Sequence, residues 1–219
     1  MSRAERKART RAAILQAARD RFVGVGYEGA TIRDVARSAG VAVGTVHAHF
    51  PDKPSLLSAC FLAQIDDAVA LGFESLDPVA SLADQLCHLA GVLYAAYARH
   101  PALSRVMLQH SLFPATGVPE RAQTQAGAFL LDVIGLVGSA RSRGAVGEPA
   151  DGGMAFAQAY FAAYLLTLLG GLSGAFGDPG APDAHEAWVA RLRPLVALQI
   201  AGLPAPERSA QAVRGGSNA

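Results

Sequence analysis

Three observations predict an all-α fold in which a small N-terminal helical unit is joined to a larger helical body. Apolar residues recur three and four positions apart along almost the whole chain, and almost no segment alternates with period two. Clusters of Pro, Gly and Asp at 77–78, 114–119, 147–153 and 177–182 cut that pattern into helix-length pieces. Of the 219 residues, 51% are hydrophobic and 17% charged, which is enough apolar material for a large core and too little charge for a disordered chain.

A first helix is expected over 6–25, with Ile14, Leu15, Ala18 and Phe22 on one face and Gly24 and Gly26 ending it. Thr31 is placed to cap a short second helix that buries Ile32, Val35 and Ala36. Gly40 takes the bend, where a left-handed backbone costs a residue without Cβ almost nothing, and Val41 plugs the corner. The third helix spans 42–50 and turns Val46 and Phe50 inward. Asp52 caps a fourth helix, with Pro54 in a first turn that needs no N–H there, and Leu57, Phe61, Ile65 and Ala68 form its buried face. Further helices are expected over 78–100, 101–110, 120–141, 153–176 and 182–202. The domain boundaries read as 6–68, 69–203 and a flexible tail over 204–219.

Charge is distributed unevenly. Residues 1–53 hold ten Lys or Arg against five Asp or Glu, and the rest of the chain holds nine against thirteen. A basic N-terminal quarter on an acidic body points to a polyanion-binding module joined to something that is not one. Cys60 and Cys87 are the two cysteines and form no CxxC, which fits a reducing cytoplasm, and no apolar run precedes Ile14 to serve as a secretory signal. The stretch 152–177 carries no charge, yet polar Gln158, Thr167 and Ser173, several glycines and the small residues Ala155, Ala159 and Ala163 fit a close-packed helix of an oligomer better than a membrane span. No metal or cofactor site is expected, because Cys87, His88, His100 and His110 share no i, i+3 or i+4 spacing and no carboxylate cluster joins them. No nucleophile elbow, glycine-rich phosphate loop or paired carboxylates speak for an enzyme.

The functional signal lies in the two short helices with their glycine bend, a helix-turn-helix. In such a unit the outer N-terminal surface of the second helix enters the major groove of double-stranded DNA, here Val43, Gly44, Thr45, His47 and, nearer the helix end, His49. Gly44 permits close backbone approach, and Thr45 suits a phosphate, a base edge or a thymine methyl. Arg9 and Arg11, in a run with Arg3, Arg6 and Lys7, suit phosphate contact or minor-groove insertion. The pattern Phe22-(x)3-Gly26-Tyr27-(x)3-Thr31-Ile32-(x)2-Val35-Ala36-(x)2-Ala39-Gly40-Val41-(x)2-Gly44-Thr45-Val46-(x)-Ala48-His49-Phe50-(x)-Asp52-Lys53-(x)2-Leu56-Leu57 resembles the TetR family of transcriptional regulators. The resemblance covers roughly 6–68. It implies a homodimeric repressor that binds a near-palindromic operator and is released when a small molecule enters the C-terminal domain. It also implies DNA contacts by Thr31, Thr45, His47 and Lys53. His47 stands where the family usually has Tyr, and Pro54 where it often has Glu.

In the body, Tyr94, Tyr97, Met107, His110, Phe113, Phe129, Phe156, Tyr160 and Tyr164 supply rings and a thioether for an apolar or aromatic effector, with Arg99 and Arg105 as the nearby cations for an anionic group. Trp188, Val189, Leu192, Leu195, Val196 and Ile200 of the last helix suit a dimer interface better than a pocket. An architectural DNA-binding protein without ligand response is the alternative, and about 150 apolar helical residues behind the reader speak against it.

Overall fold

The computed structural model describes residues 2–112 and 120–206; Phe113, the cluster at 114–119 and the tail from 207 onward lie outside the described residues. The described residues form nine α-helices and no strand: α1 (Arg3–Gly29), α2 (Ile32–Ser38), α3 (Val43–His49), α4 (Lys53–Glu74), α5 (Leu82–Ala98), α6 (Pro101–Leu112), α7 (Glu120–Ser142), α8 (Met154–Leu172) and α9 (Ala184–Ala201).

Local chemistry sets the ends. Ser2 caps α1 in a capping box with Glu5, so the helix starts earlier than its apolar stripe announced. Its backbone leaves helical geometry at Gly26, with φ 76° and ψ 166°, which is where the glycine pair was expected to stop it. Asp52 accepts from the Ser55 N–H at 2.7 Å to cap α4, and Ser81 accepts from the Asp84 N–H at 3.1 Å to cap α5. The second cap begins α5 later than position 78, because Asp77 first closes a turn onto the Val79 N–H. Helix α8 ends at Leu172, short of 176. Gly174, with φ +84°, turns the chain there, and Arg105 donates to the Leu172 carbonyl at 2.8 Å.

The body is organised around α5, which packs on α4 and α9, while α7 and α8 close the other side. The interior is continuous from Ile14 and Phe22 of α1 through Leu56, Leu57 and Phe61 of α4 to Leu86, Leu89 and Leu93 of α5 and Leu168 and Leu172 of α8. Trp188 belongs to this core and not to an interface as expected. It is 1% exposed, edge-on to Tyr94 at 5.7 Å, and seated where Gly171 lacks a side chain, since a Cβ there would lie 2.4 Å from the indole. Leu192 and Val196 are fully buried beside it. Apart from Leu195, which is 39% exposed, the apolar stripe of α9 faces its own α5 and α8.

Helices α4 and α8 are long and apolar enough to cross a membrane by length and composition, and both pack into this core.

Candidate nucleic-acid interface

The N-terminal unit is built so that α3 is held from behind and left bare in front. Val35 and Ala36 of α2, Val46 of α3 and Phe50 at its C-terminal cap are buried against Ile14, Ala18 and Phe22 of α1. Gly40, with φ +67°, makes the bend, the Val41 N–H returns to the Ala36 carbonyl at 3.0 Å, and Val41 is half-buried in the corner. Burying Val46 and Phe50 one turn apart turns Val43, Gly44 and His47 outward, with Thr45 and His49 half-buried at the flanks.

Each candidate contact has a defined setting. A Cβ built on Gly44 meets nothing within 4 Å, so nothing inside the chain requires glycine in this helix. Thr31 Oγ1 accepts from the Asp34 N–H at 3.1 Å and donates to Asp34 Oδ2 at 2.6 Å, so its hydroxyl hydrogen is committed to the cap. Asp34 in turn pairs with Arg37 at 3.2 Å and approaches Arg21 at 3.9 Å. The Thr31 hydrogen bond first, then the two arginines, holds the Asp34 carboxyl below the usual range. His47 Nδ1 lies 3.1 Å from the Pro51 carbonyl, which requires the proton on Nδ1. Neutral His47 therefore presents only an accepting Nε2 to a partner, and it becomes a second donor on protonation. Burial, reinforced by Lys7 and Arg11, pushes His49 below the ordinary imidazole range.

The cations are ordered by rings. Arg11 lies 4.4 Å over Phe50, which ties the basic arm to the end of α3, while Arg9 is exposed. Lys53 Nζ lies 4.2 Å over Tyr27 and donates to the Glu28 carbonyl at 3.4 Å. Tyr27 also stands edge-on to His110 of α6 at 5.2 Å and tilted against Phe22 at 5.6 Å, so one ring joins the reading unit to the body. The roles of Tyr27 and of the Arg21–Asp34–Arg37 pairing were not read from sequence. A contact between residues 27 and 53 leaves no trace in spacing.

The candidate ligand residues come together as a closed cluster. Tyr94 stacks on Tyr164 at 5.0 Å and 3°, and Phe129 meets Tyr160 at 6.3 Å and Tyr164 at 6.1 Å. Tyr97 packs on Phe61 at 5.9 Å, while Met107 and Phe156 are buried. The Tyr94 hydroxyl donates to the Tyr164 carbonyl at 2.9 Å and that of Tyr160 to the Leu86 carbonyl at 2.8 Å, which satisfies both buried groups. Burial raises the pKa of all four tyrosines, Tyr94, Tyr97, Tyr160 and Tyr164, so they are neutral rings. His110 is half-buried against Tyr27, apart from this cluster.

A bare recognition helix behind a glycine bend, flanked by ring-held cations and carried on a helical body, defines a helix-turn-helix DNA-binding protein. Residues 14–60 match the family model described as bacterial regulatory proteins, tetR family. The N-terminal unit is therefore a TetR-type DNA-binding domain. No curated protein sequence matches it. Solved structures share the fold over most of their length. A TetR transcriptional regulator from Rhodococcus sp. RHA1 is 21% identical with TM-score 0.63, covering 88% of this chain and 98% of its own. The fatty acid degradation regulator FadR from Bacillus halodurans is 19% identical with TM-score 0.64, covering 88% and 95%. FadR from Bacillus subtilis, solved in complex with stearoyl-CoA, is 19% identical with TM-score 0.64, covering 87% and 98%.

Proposed function

We propose that this chain is a cytoplasmic homodimeric repressor that binds a near-palindromic operator and is released by a small molecule. The observation that carries the DNA reading is the outward face of α3, with Val43, Gly44 and His47 exposed and Thr45 beside them, framed by Lys53 and by Arg9 and Arg11. Thr31, at the start of α2, and His49 complete the contact set.

Dimerisation is supported by an apolar surface that the protomer leaves open. On α8, Ala155, Ala159, Ala162, Leu166 and Leu169 are exposed along one face, and on α9 so are Ala187, Pro194 and Leu198, with Leu166 69% and Leu198 72% exposed. Pairing these two helices with their copies would bury both faces and set two α3 helices one DNA turn, or a multiple of it, apart.

The effector reading rests on Tyr94, Tyr97, Met107, Phe129, Phe156, Tyr160 and Tyr164, an adaptable apolar interior that an aromatic or alkyl ligand would enter by parting the rings, with His110 on the side of Tyr27. The stearoyl-CoA complex of Bacillus subtilis FadR supports a ligand-bearing body on this fold.

Selection of bound sequences from random double-stranded DNA tests the proposal, followed by a small-molecule screen for release. A palindromic consensus is expected, with Thr45→Ala relaxing preference at one position per half-site. Recovery of unselective, salt-sensitive binding alone would overturn it.

A further inference from the structure

A groove of about 660 Å³ runs along α5 on the side away from the tyrosine cluster, between α4 and α9. Its base is one continuous face of α5, from Asp84 through Cys87, Gly91 and Ala95 to Arg99. Those fifteen steps span about 22 Å at the α-helical rise. The floor is made of small residues, Ala68, Cys87, Gly91, Ala95 and Ala96, with Leu71, Val92 and Val189 as walls. Leu71 is 55% exposed there, an apolar side chain left open by the described residues.

The two ends differ. At one, Arg193 and Asp84 satisfy each other at 2.7 Å. At the other, cations are under-compensated. The side chain of Arg99, at the C-terminal end of α5, makes no hydrogen bond or ion pair with any described residue. Arg19 of α1 reaches only 3.9 Å from Asp67, whose side chain is 77% exposed, and its Nε–H is buried with no partner. The carboxylates at this end, Asp67 and Glu186, are exposed at the rim, while Arg19 is half-buried, so the charge that acts through the lower dielectric is positive. His185 completes that end. The face of α9 used here, His185, Val189 and Arg193, is not the Ala187, Pro194 and Leu198 face open to a second copy.

We propose that this groove is a second ligand site that takes a single-chain anionic amphiphile, its apolar chain on the α5 floor and its anionic head between Arg19 and Arg99. The volume falls in the range of small-molecule sites, and the floor of Gly and Ala leaves the width of one chain. A head group held there acts on α1 and α5 at once, because Arg19 belongs to the reading unit and Arg99 to the body. That coupling rests on the reading of the chain as a DNA-binding regulator; the binding does not, and the two are measured apart.

The probe is dodecanoate, titrated calorimetrically into the full-length protein below its micellar concentration, with dodecanol and dodecylamine as neutral and cationic controls. Saturable binding of dodecanoate is expected, with dodecanol weaker and dodecylamine weaker still. Arg99→Gln, at an exposed position whose side chain has no partner among the described residues, should fold as wild type and lower affinity about tenfold through loss of a charge-assisted contact. Ala95→Leu should block binding by filling the floor, with its circular dichroism and melting point unchanged. Equal binding of the three amphiphiles, or unchanged affinity in both variants, would overturn the site. Fluorescence anisotropy with selected DNA then reads the coupling. A shift in DNA affinity with dodecanoate that disappears in Arg99→Gln supports it, and binding without that shift overturns the coupling alone. Absence of selective DNA binding overturns the regulator reading and leaves the groove result standing.

Discussion

Replacing Gly44 by Ala separates the needs of the fold from those of DNA binding. The Gly44 backbone lies outside the left-handed region, and an added Cβ meets nothing within 4 Å. The folded chain therefore loses nothing, and the unfolded chain loses freedom, which is worth about 0.5–1 kcal/mol in favour of Ala. For a chain of this size 1 kcal/mol moves the melting point by about 2–4 °C, so Gly44→Ala should melt about 1–4 °C higher. DNA binding should move the other way if the α3 backbone approaches the duplex through that bare position. A cost on the order of 1 kcal/mol per half-site, taken twice in a dimer, is a loss of about thirtyfold. Gly40→Ala is the control, because its surroundings are equally empty but its φ is +67°. There a Cβ costs about 1–2 kcal/mol, and the melting point should fall. Thermal melts with anisotropy titrations on selected DNA decide the matter. A stabilised Gly44→Ala that binds DNA as well as wild type would refute the close approach, and a destabilised one would refute the packing argument.

Lys53→Ala should weaken binding to all sequences alike and lower the salt slope of the proposed dimer by about two, whereas Tyr27→Leu, which keeps the charge and removes the ring beneath it, should weaken binding with the slope unchanged; titrations at several salt concentrations separate them. His47→Tyr should bind at least as tightly as wild type, since His47 spends its Nδ1–H on Pro51 and a phenol still has a hydroxyl to donate; anisotropy titrations on selected DNA check this. Leu198→Arg should abolish the proposed dimer in sedimentation with the protomer still folded, because the side chain is 72% exposed in the protomer. Burial and two neighbouring cations depress His49 in the folded state, so the native chain takes up a proton less readily than the unfolded one. Its contribution is complete above the ordinary histidine range and is lost as pH falls through the depressed value; melts from pH 8 to 5 should show a decline that His49→Asn reduces.

Helices were legible wherever a local rule governs them. Thr31, Asp52 and Gly40 act within three or four residues of themselves, and a cap or bend at that range is written in adjacent letters. Boundaries slipped where a competing local bond took precedence, as where Asp77 and Ser81 delayed α5. The partner of each apolar face was less legible. Helix α9 carries a stripe with Trp188, Leu192 and Val196 and a second with Pro194 and Leu198, and periodicity treats the two alike. What distinguishes them is Gly171 on a different helix, whose missing side chain admits the indole. That pairing of a large residue with a glycine seventeen positions away is a tertiary fact.

The same limit explains the two ligand readings. Counting rings singles out Tyr94, Tyr160 and Tyr164, which the structure brings into contact, but composition does not say whether rings line a space or fill it. Here they fill it, with centroids 5.0–6.5 Å apart and the Tyr94 and Tyr160 hydroxyls on backbone carbonyls. Admitting a ligand among them means parting ring contacts worth about 0.5–1.5 kcal/mol each beyond their buried area. The groove along α5 needs no such opening, because its floor is Ala, Gly and Cys, residues that no search for binding chemistry would select. Arg99 was visible in the sequence as a cation for an anionic group, together with Arg105. The structure separates the two: Arg105 is occupied by the end of α8, and Arg99, whose side chain has no partner among the described residues, lines the groove together with Arg19 of α1.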